Sequence, residues 1–158
     1  MKEEDKILVL GIGNIGRQDD GLGWLFIDYL DTLKFGNFDL EYRYQLQIED
    51  AELLSNYKTV IFVDATKENT KEGFYYRTCE TSNNHSFSTH ELRPETVLFL
   101  ANSLYQQRPR AFILGIEGFS WNLDIGLSKA AAFNLDKAKQ FLFEKIVEYD
   151  DIGMVSND

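Results

Sequence analysis

Three short apolar runs constrain this chain more than any other feature. Ile7-Leu8-Val9-Leu10, Val60-Ile61-Phe62-Val63 and Ala111-Phe112-Ile113-Leu114 are unbroken, and each leads directly into a glycine or an aspartate. Unbroken runs of this length suit strands covered on both faces, as in a parallel sheet; a half-solvated strand would alternate. Helical spacing fills the gaps between them. Leu22, Leu25, Phe26, Tyr29, Leu30 and Leu33 fall at steps of three and four, one apolar stripe. Residues 48–57 read as a short helix. Pro94 suits the first turn of another, whose buried face is expected to be Val97, Leu98, Ala101, Leu104 and Tyr105. Residues 128–149 read as a long terminal helix. Residues 38–46 alternate loosely as a further strand, and the aromatic segment 73–79 suits an antiparallel edge. Strands alternating with helices predict an α/β fold, a three-layer α/β/α sandwich on a largely parallel central sheet of about five strands.

At 158 residues and 44% apolar composition, residues 1–158 are expected to form one domain with a proper core. An acidic tail from about residue 150 is expected to fray. No apolar run reaches the roughly 20 residues that span a bilayer, so no membrane insertion is expected. Residues 1–6 lack a basic-then-apolar leader pattern, and the expected location is cytoplasmic. The formal net charge of −10 repels polyanions, which argues against nucleic acid as a partner. A single cysteine, Cys79, leaves no internal disulfide and no cysteine-based zinc cage, and its strand context points to space filling.

Chemistry-bearing residues gather where strands give way to helices or loops. The densest segment is Gly11-Ile12-Gly13-Asn14-Ile15-Gly16-Arg17-Gln18-Asp19-Asp20-Gly21-Leu22-Gly23. Its Gly11-x-Gly13-x-x-Gly16 matches the dinucleotide fingerprint, so a dinucleotide-binding protein is one reading. Asp19 and Asp20 oppose it, because two carboxylates would face a pyrophosphate at the helix N-terminus. One acid there can cap a helix. The second, followed by Gly21 and Gly23, is the better functional candidate, and the glycines suggest that something large approaches the backbone. Asp64 follows four apolar residues and either caps the next element or binds a ligand. His90 precedes the helix begun by Pro94, a common setting for a metal-binding imidazole; His85, in the same polar loop over residues 80–89, reads as solvated. Two carboxylates and an imidazole suit a divalent transition metal such as nickel or zinc. The chain holds no His-Glu-x-x-His, Gly-x-Ser-x-Gly or Walker-type segment. Trp24 lies off the first helix's apolar stripe and Trp121 follows the last strand; both are candidate interface anchors.

Taken in order, these segments resemble the maturation endopeptidases of nickel–iron hydrogenases. The resemblance rests on Gly11-Ile12-Gly13-Asn14, Asp19-Asp20-Gly21-Leu22-Gly23, Val63-Asp64-Ala65, Ser88-Thr89-His90-Glu91-Leu92 and, late in the chain, Gly115-Ile116-Glu117 and Gly126-Leu127-Ser128. It spans residues 7 to about 143. Gly16 departs from the pattern, since the family more often has a bulky apolar residue there. The resemblance implies a single peptidase-like domain, a metal-dependent endopeptidase that removes the C-terminal extension of the hydrogenase large-subunit precursor. Cleavage in that family depends on nickel already in the precursor, so the nickel comes with the substrate. Asp20, Asp64 and His90 map onto the family's metal-contacting and catalytic positions. Asp19 and Asn14 are expected to orient the loop. The main rival is a non-catalytic nickel-sensing or maturation chaperone module on the same fold.

Overall fold

The computed structural model describes residues 6–33, 36–81 and 92–156, with side chains as far as residue 146. In chain order the elements are β1 (Ile7–Ile12), α1 (Leu22–Thr32), β2 (Phe38–Arg43), α2 (Asp50–Leu54), β3 (Thr59–Thr66), β4 (Phe74–Thr78), α3 (Pro94–Tyr105), β5 (Arg110–Glu117) and α4 (Lys129–Ser156). A 3₁₀ turn, Gln18–Gly21, leads into α1. The five strands form one sheet in the order β2-β1-β3-β5-β4. Every pair is parallel except β4 with β5, so the aromatic segment is the antiparallel edge expected of it.

The apolar runs are unbroken because both faces of the central strands are covered. Alternate residues of β1 go to opposite sides: Leu8, Leu10 and Ile12 join a core with Leu54 of α2 and Val97, Leu98 and Ala101 of α3. Val9 joins a second core with Phe26, Ile27 and Leu30 of α1 and Leu135, Ala138 and Leu142 of α4. β3 divides in the same way, Val60 and Phe62 to the first core and Ile61 and Val63 to the second. At the edge, β2 is nowhere fully buried and carries Asp39, Glu41 and Arg43, charges that discourage further strand pairing.

Some boundaries differ from the sequence expectation. β2 ends at Arg43, and Leu46 instead forms an isolated bridge with Leu92. The short helix begins at Asp50, whose buried carboxylate accepts the Gln47 N–H at 2.8 Å and the Arg43 Nε–H at 3.0 Å. These bonds hold residues 43–47 in a turn that a continuing strand or an earlier helix would break. On α3, Leu104 and Tyr105 are exposed rather than buried. Their spacing is helical, but the facing helix α2 spans only Asp50–Leu54 and the core stops at Ala101. Cys79 is buried in the first core, and burial, with Glu95 and Glu80 nearby, pushes its thiol up to about 12, which leaves it unreactive. Among the described residues, no helix is long and apolar enough to cross a membrane.

Candidate functional site

In an open parallel sheet, ligands bind outside the carboxyl ends of the strands at the point where the connections diverge. Here that point lies between β1 and β3: the chain leaves β1 for β2 on one side, then returns to place β3 on the other. Asp20 follows β1, and Asp64 lies near the end of β3. Both carboxylates thus stand at the mouth of the switch point, and both are half-buried.

Backbone geometry fixes Asp20 there. Gly13, at φ 140°, lets the chain fold back so closely that a Cβ would sit 2.0 Å from the Asp20 carbonyl oxygen. The Asn14 N–H donates to that oxygen at 3.1 Å, and Asn14 Oδ1 accepts the Gly16 N–H at 2.8 Å. Asn14 therefore orients the loop, largely through its backbone. Gly23 answers the question its position raised. A Cβ there would lie 2.5 Å from the carbonyl oxygens of both Ile12 and Val63. What approaches this glycine is the sheet itself: α1 starts in contact with the ends of β1 and β3.

Asp64 is not the end of its strand, as the sequence suggested. β3 continues to Thr66 because β5 pairs with it as far as Glu117, whereas β1 stops at Ile12. Asp64 thus lies one residue past the last β1–β3 pair, Gly11 with Val63, while its pairing with β5 continues. One of its oxygens accepts the Ala65 N–H at 2.8 Å. By alternation along β3 its side chain shares the face of Val60 and Phe62.

Asp19 has a different role. It is fully buried, and its Oδ2 accepts the N–H groups of Phe119 at 2.7 Å and Ser120 at 2.9 Å and the Ser128 hydroxyl at 2.7 Å. Its Oδ1 accepts the Ser128 N–H at 2.8 Å. Burial alone would raise this carboxyl's pKa, but the hydrogen bonds from Phe119, Ser128 and Ser120 overcome it and hold the group below its ordinary 3.8. Asp19 ties the glycine loop to the segment 118–128. Gln18, in the left-handed region at φ 52°, adds to the tie: its N–H donates to Asp124 O at 2.8 Å and its Oε1 accepts the Asn122 N–H at 3.0 Å. Sequence spacing carried no signal for this, since the partners are about a hundred residues apart.

The two tied loops and α1 border a groove of about 550 Å³, lined by Ile15, Trp24, Leu25, Tyr42, Ile125 and Leu127, with Asp28 at its side. Trp24 is half-buried. Its Nε1–H donates to Arg43 O at 2.9 Å and its ring meets Tyr42 and Tyr44. Ile125 is 81% exposed, an unusual setting for so large an apolar side chain. The sequence trace of this groove was Trp24, which lies off the apolar stripe of α1.

His90, the third expected ligand, lies outside the described residues, as does His85. Among the described residues, no group of three His, Cys, Asp or Glu side chains is placed to hold a metal ion. Asp20 and Asp64, the two described candidates, are oxygen donors of the type that suits a hard divalent cation. The dinucleotide fingerprint finds no support in the geometry. The third glycine, Gly16, lies in a turn where a Cβ would meet only Asn14, and the close helix–strand contact is made by Gly23 instead.

This topology is the fold of the hydrogenase maturation endopeptidases. The chain is similar to the hydrogenase 2 maturation peptidase of a Thaumarchaeota archaeon at 22% identity and TM-score 0.65, over 89% of this chain and 97% of that one. With the NiFe hydrogenase maturation protease HycI of Thermococcus kodakarensis the figures are 22%, 0.66, 88% and 90%. With the hydrogenase maturating endopeptidase HybD of E. coli they are 19%, 0.64, 90% and 93%. No family model matches the sequence, and no curated protein matches it.

Proposed function

We propose that this chain is an endopeptidase of hydrogenase maturation, which removes the C-terminal extension of a nickel-loaded large-subunit precursor. The observation that carries this reading is the pair Asp20 and Asp64 at the β1/β3 switch point of a fold shared with maturation endopeptidases. The ordered motifs and the proposed frame, a three-layer α/β/α sandwich with a core on each face of the sheet, support it.

On this reading the nickel arrives with the substrate, and Asp20, Asp64 and His90 receive it. Two carboxylates and one imidazole leave coordination positions for the precursor's own ligands. Held by those residues, the ion would supply Lewis acidity for the cleavage. Asp19 keeps segment 118–128 against the glycine loop, so the groove beside Asp20 stays formed for apolar side chains of the precursor. A cytoplasmic location fits such a substrate.

The test uses one precursor in two states. Nickel-loaded precursor should be shortened by the protein, and metal-free precursor should remain at full length. Equal cleavage of both would remove nickel from the recognition step. A stable complex without any shortening would favour the chaperone reading.

A further inference from the structure

The row that crosses the sheet at Asp64 holds one more polar group. In-register residues of neighbouring strands share a face. Asp64 pairs with Gly115 on β5, and Gly115 pairs with Tyr75 on β4. Gly115 has no side chain, and the Tyr75 ring occupies the space. A Cβ on Gly115 would lie 2.3 Å from Tyr75 Cε2 and Cζ and 2.7 Å from its hydroxyl oxygen. The ring therefore lies across β5, and its hydroxyl reaches inward toward β3 although β4 is the edge strand. Thr66, two residues beyond Asp64 and on the same face, stands beside the phenol. Over the ring sits the Arg77 guanidinium, 3.6 Å from its centre and held by Glu68 at 2.6 Å. An edge-strand tyrosine with no task would be free to turn to solvent. This one is held by the open place at Gly115 beneath it and the Arg77 cation over its ring.

The donors and acceptors around the hydroxyl limit what it can do. Thr66 Oγ1 already accepts the Glu68 N–H at 3.0 Å, so its own hydrogen is available for the phenol oxygen. The phenol hydrogen is then available to an acceptor other than Thr66. A phenol with an ordinary pKa of about 10 is a neutral hydrogen-bond donor near pH 7.

We propose that Tyr75 is a further catalytic residue, its hydroxyl donating a hydrogen bond to the scissile carbonyl oxygen of a substrate held beside Asp64. This rests on the peptidase reading. A fixed donor aimed at an oxygen that gains charge in the transition state lowers the barrier without reorganisation, and losing one such donor costs about a hundredfold in kcat.

The test compares wild type with Tyr75→Phe, which keeps the ring over Gly115, and with Gly115→Ala, which displaces it. Cleavage of nickel-loaded precursor is followed for kcat and KM separately, alongside Tm and a calorimetric titration of the free protein with nickel chloride. The expected result is a fall in kcat of about a hundredfold for Tyr75→Phe, with KM and Tm unchanged. Gly115→Ala should lose kcat as well. Wild-type kcat in Tyr75→Phe overturns the proposal. If wild type itself cleaves nothing, the peptidase reading falls and the nickel titration decides the role of Tyr75. Affinity about tenfold weaker in Tyr75→Phe keeps the hydroxyl in the site. Equal affinity, or no binding by either protein, removes it.

Discussion

Replacing Asp19 by Asn should expose how much of this site depends on one buried carboxylate. The side chain keeps its size, but one acceptor oxygen becomes an NH₂ donor. With the remaining oxygen placed to receive the Phe119 and Ser120 N–H groups and the Ser128 hydroxyl, the new NH₂ faces the Ser128 N–H, donor against donor. One bond is lost outright, a buried N–H goes unpaired, and three charge-assisted bonds become neutral ones. A hydrogen bond to a charged group contributes about 1.5–3 kcal/mol, and a neutral one about 1. Allowing for non-additivity, the net loss is about 4 kcal/mol. In a chain of 158 residues each kcal/mol moves Tm by about 2–4 °C, so the variant should melt roughly 8–16 °C lower. The pH dependence carries a second signature. The native carboxyl is held below its ordinary 3.8, so its stabilisation is complete above that value and lost as pH falls through the lower native one. Thermal unfolding of both proteins by circular dichroism between pH 7 and pH 3 should show a constant gap at the upper end that narrows below about pH 4. A gap under 2 °C at pH 7, or one that stays constant down to pH 3, would refute the role given to Asp19 as the tie between the two loops.

Other replacements separate structure from chemistry. Gly23→Ala forces a methyl group to 2.5 Å from two strand carbonyls, and should cost about 3 kcal/mol or prevent folding, read by urea denaturation. Trp24→Ala should weaken precursor binding more than it lowers Tm, because its ring lines the open groove; unchanged binding with a large fall in Tm would make it a core residue. Asp20→Asn, Asp64→Asn and His90→Ala should each abolish processing while the free protein melts close to wild type. If Asp20 were only a helix cap, its variant would instead lose about 1 kcal/mol and keep activity.

The central strands, the glycine loop and the place of Asp20 beside it were legible because each is a local pattern: an apolar run, a glycine cluster, an acid among glycines; Asp64 was read as the last residue of β3, which runs on to Thr66. What could not be read depends on distant pairing. Asp19 looked like one of two adjacent acids, and only the return of residues 119–128 distinguishes its buried role from that of half-buried Asp20. The extent of β3 past Asp64 is set by β5, some fifty residues later. Tyr75 could not be linked to Asp64 without the antiparallel register of β4 on β5 and the empty place at Gly115. On α3 the helical spacing of Leu104 and Tyr105 was correct, but spacing cannot say how long the facing helix is.

The most direct test of the proposed function is the intact mass of a purified, nickel-loaded hydrogenase large-subunit precursor before and after incubation with this protein. The account predicts that the precursor loses the mass of its C-terminal extension, that the released peptide is recovered, and that Asp64→Asn protein leaves the mass unchanged. An unaltered precursor mass after incubation with wild-type protein that is folded and bound to the precursor would contradict it.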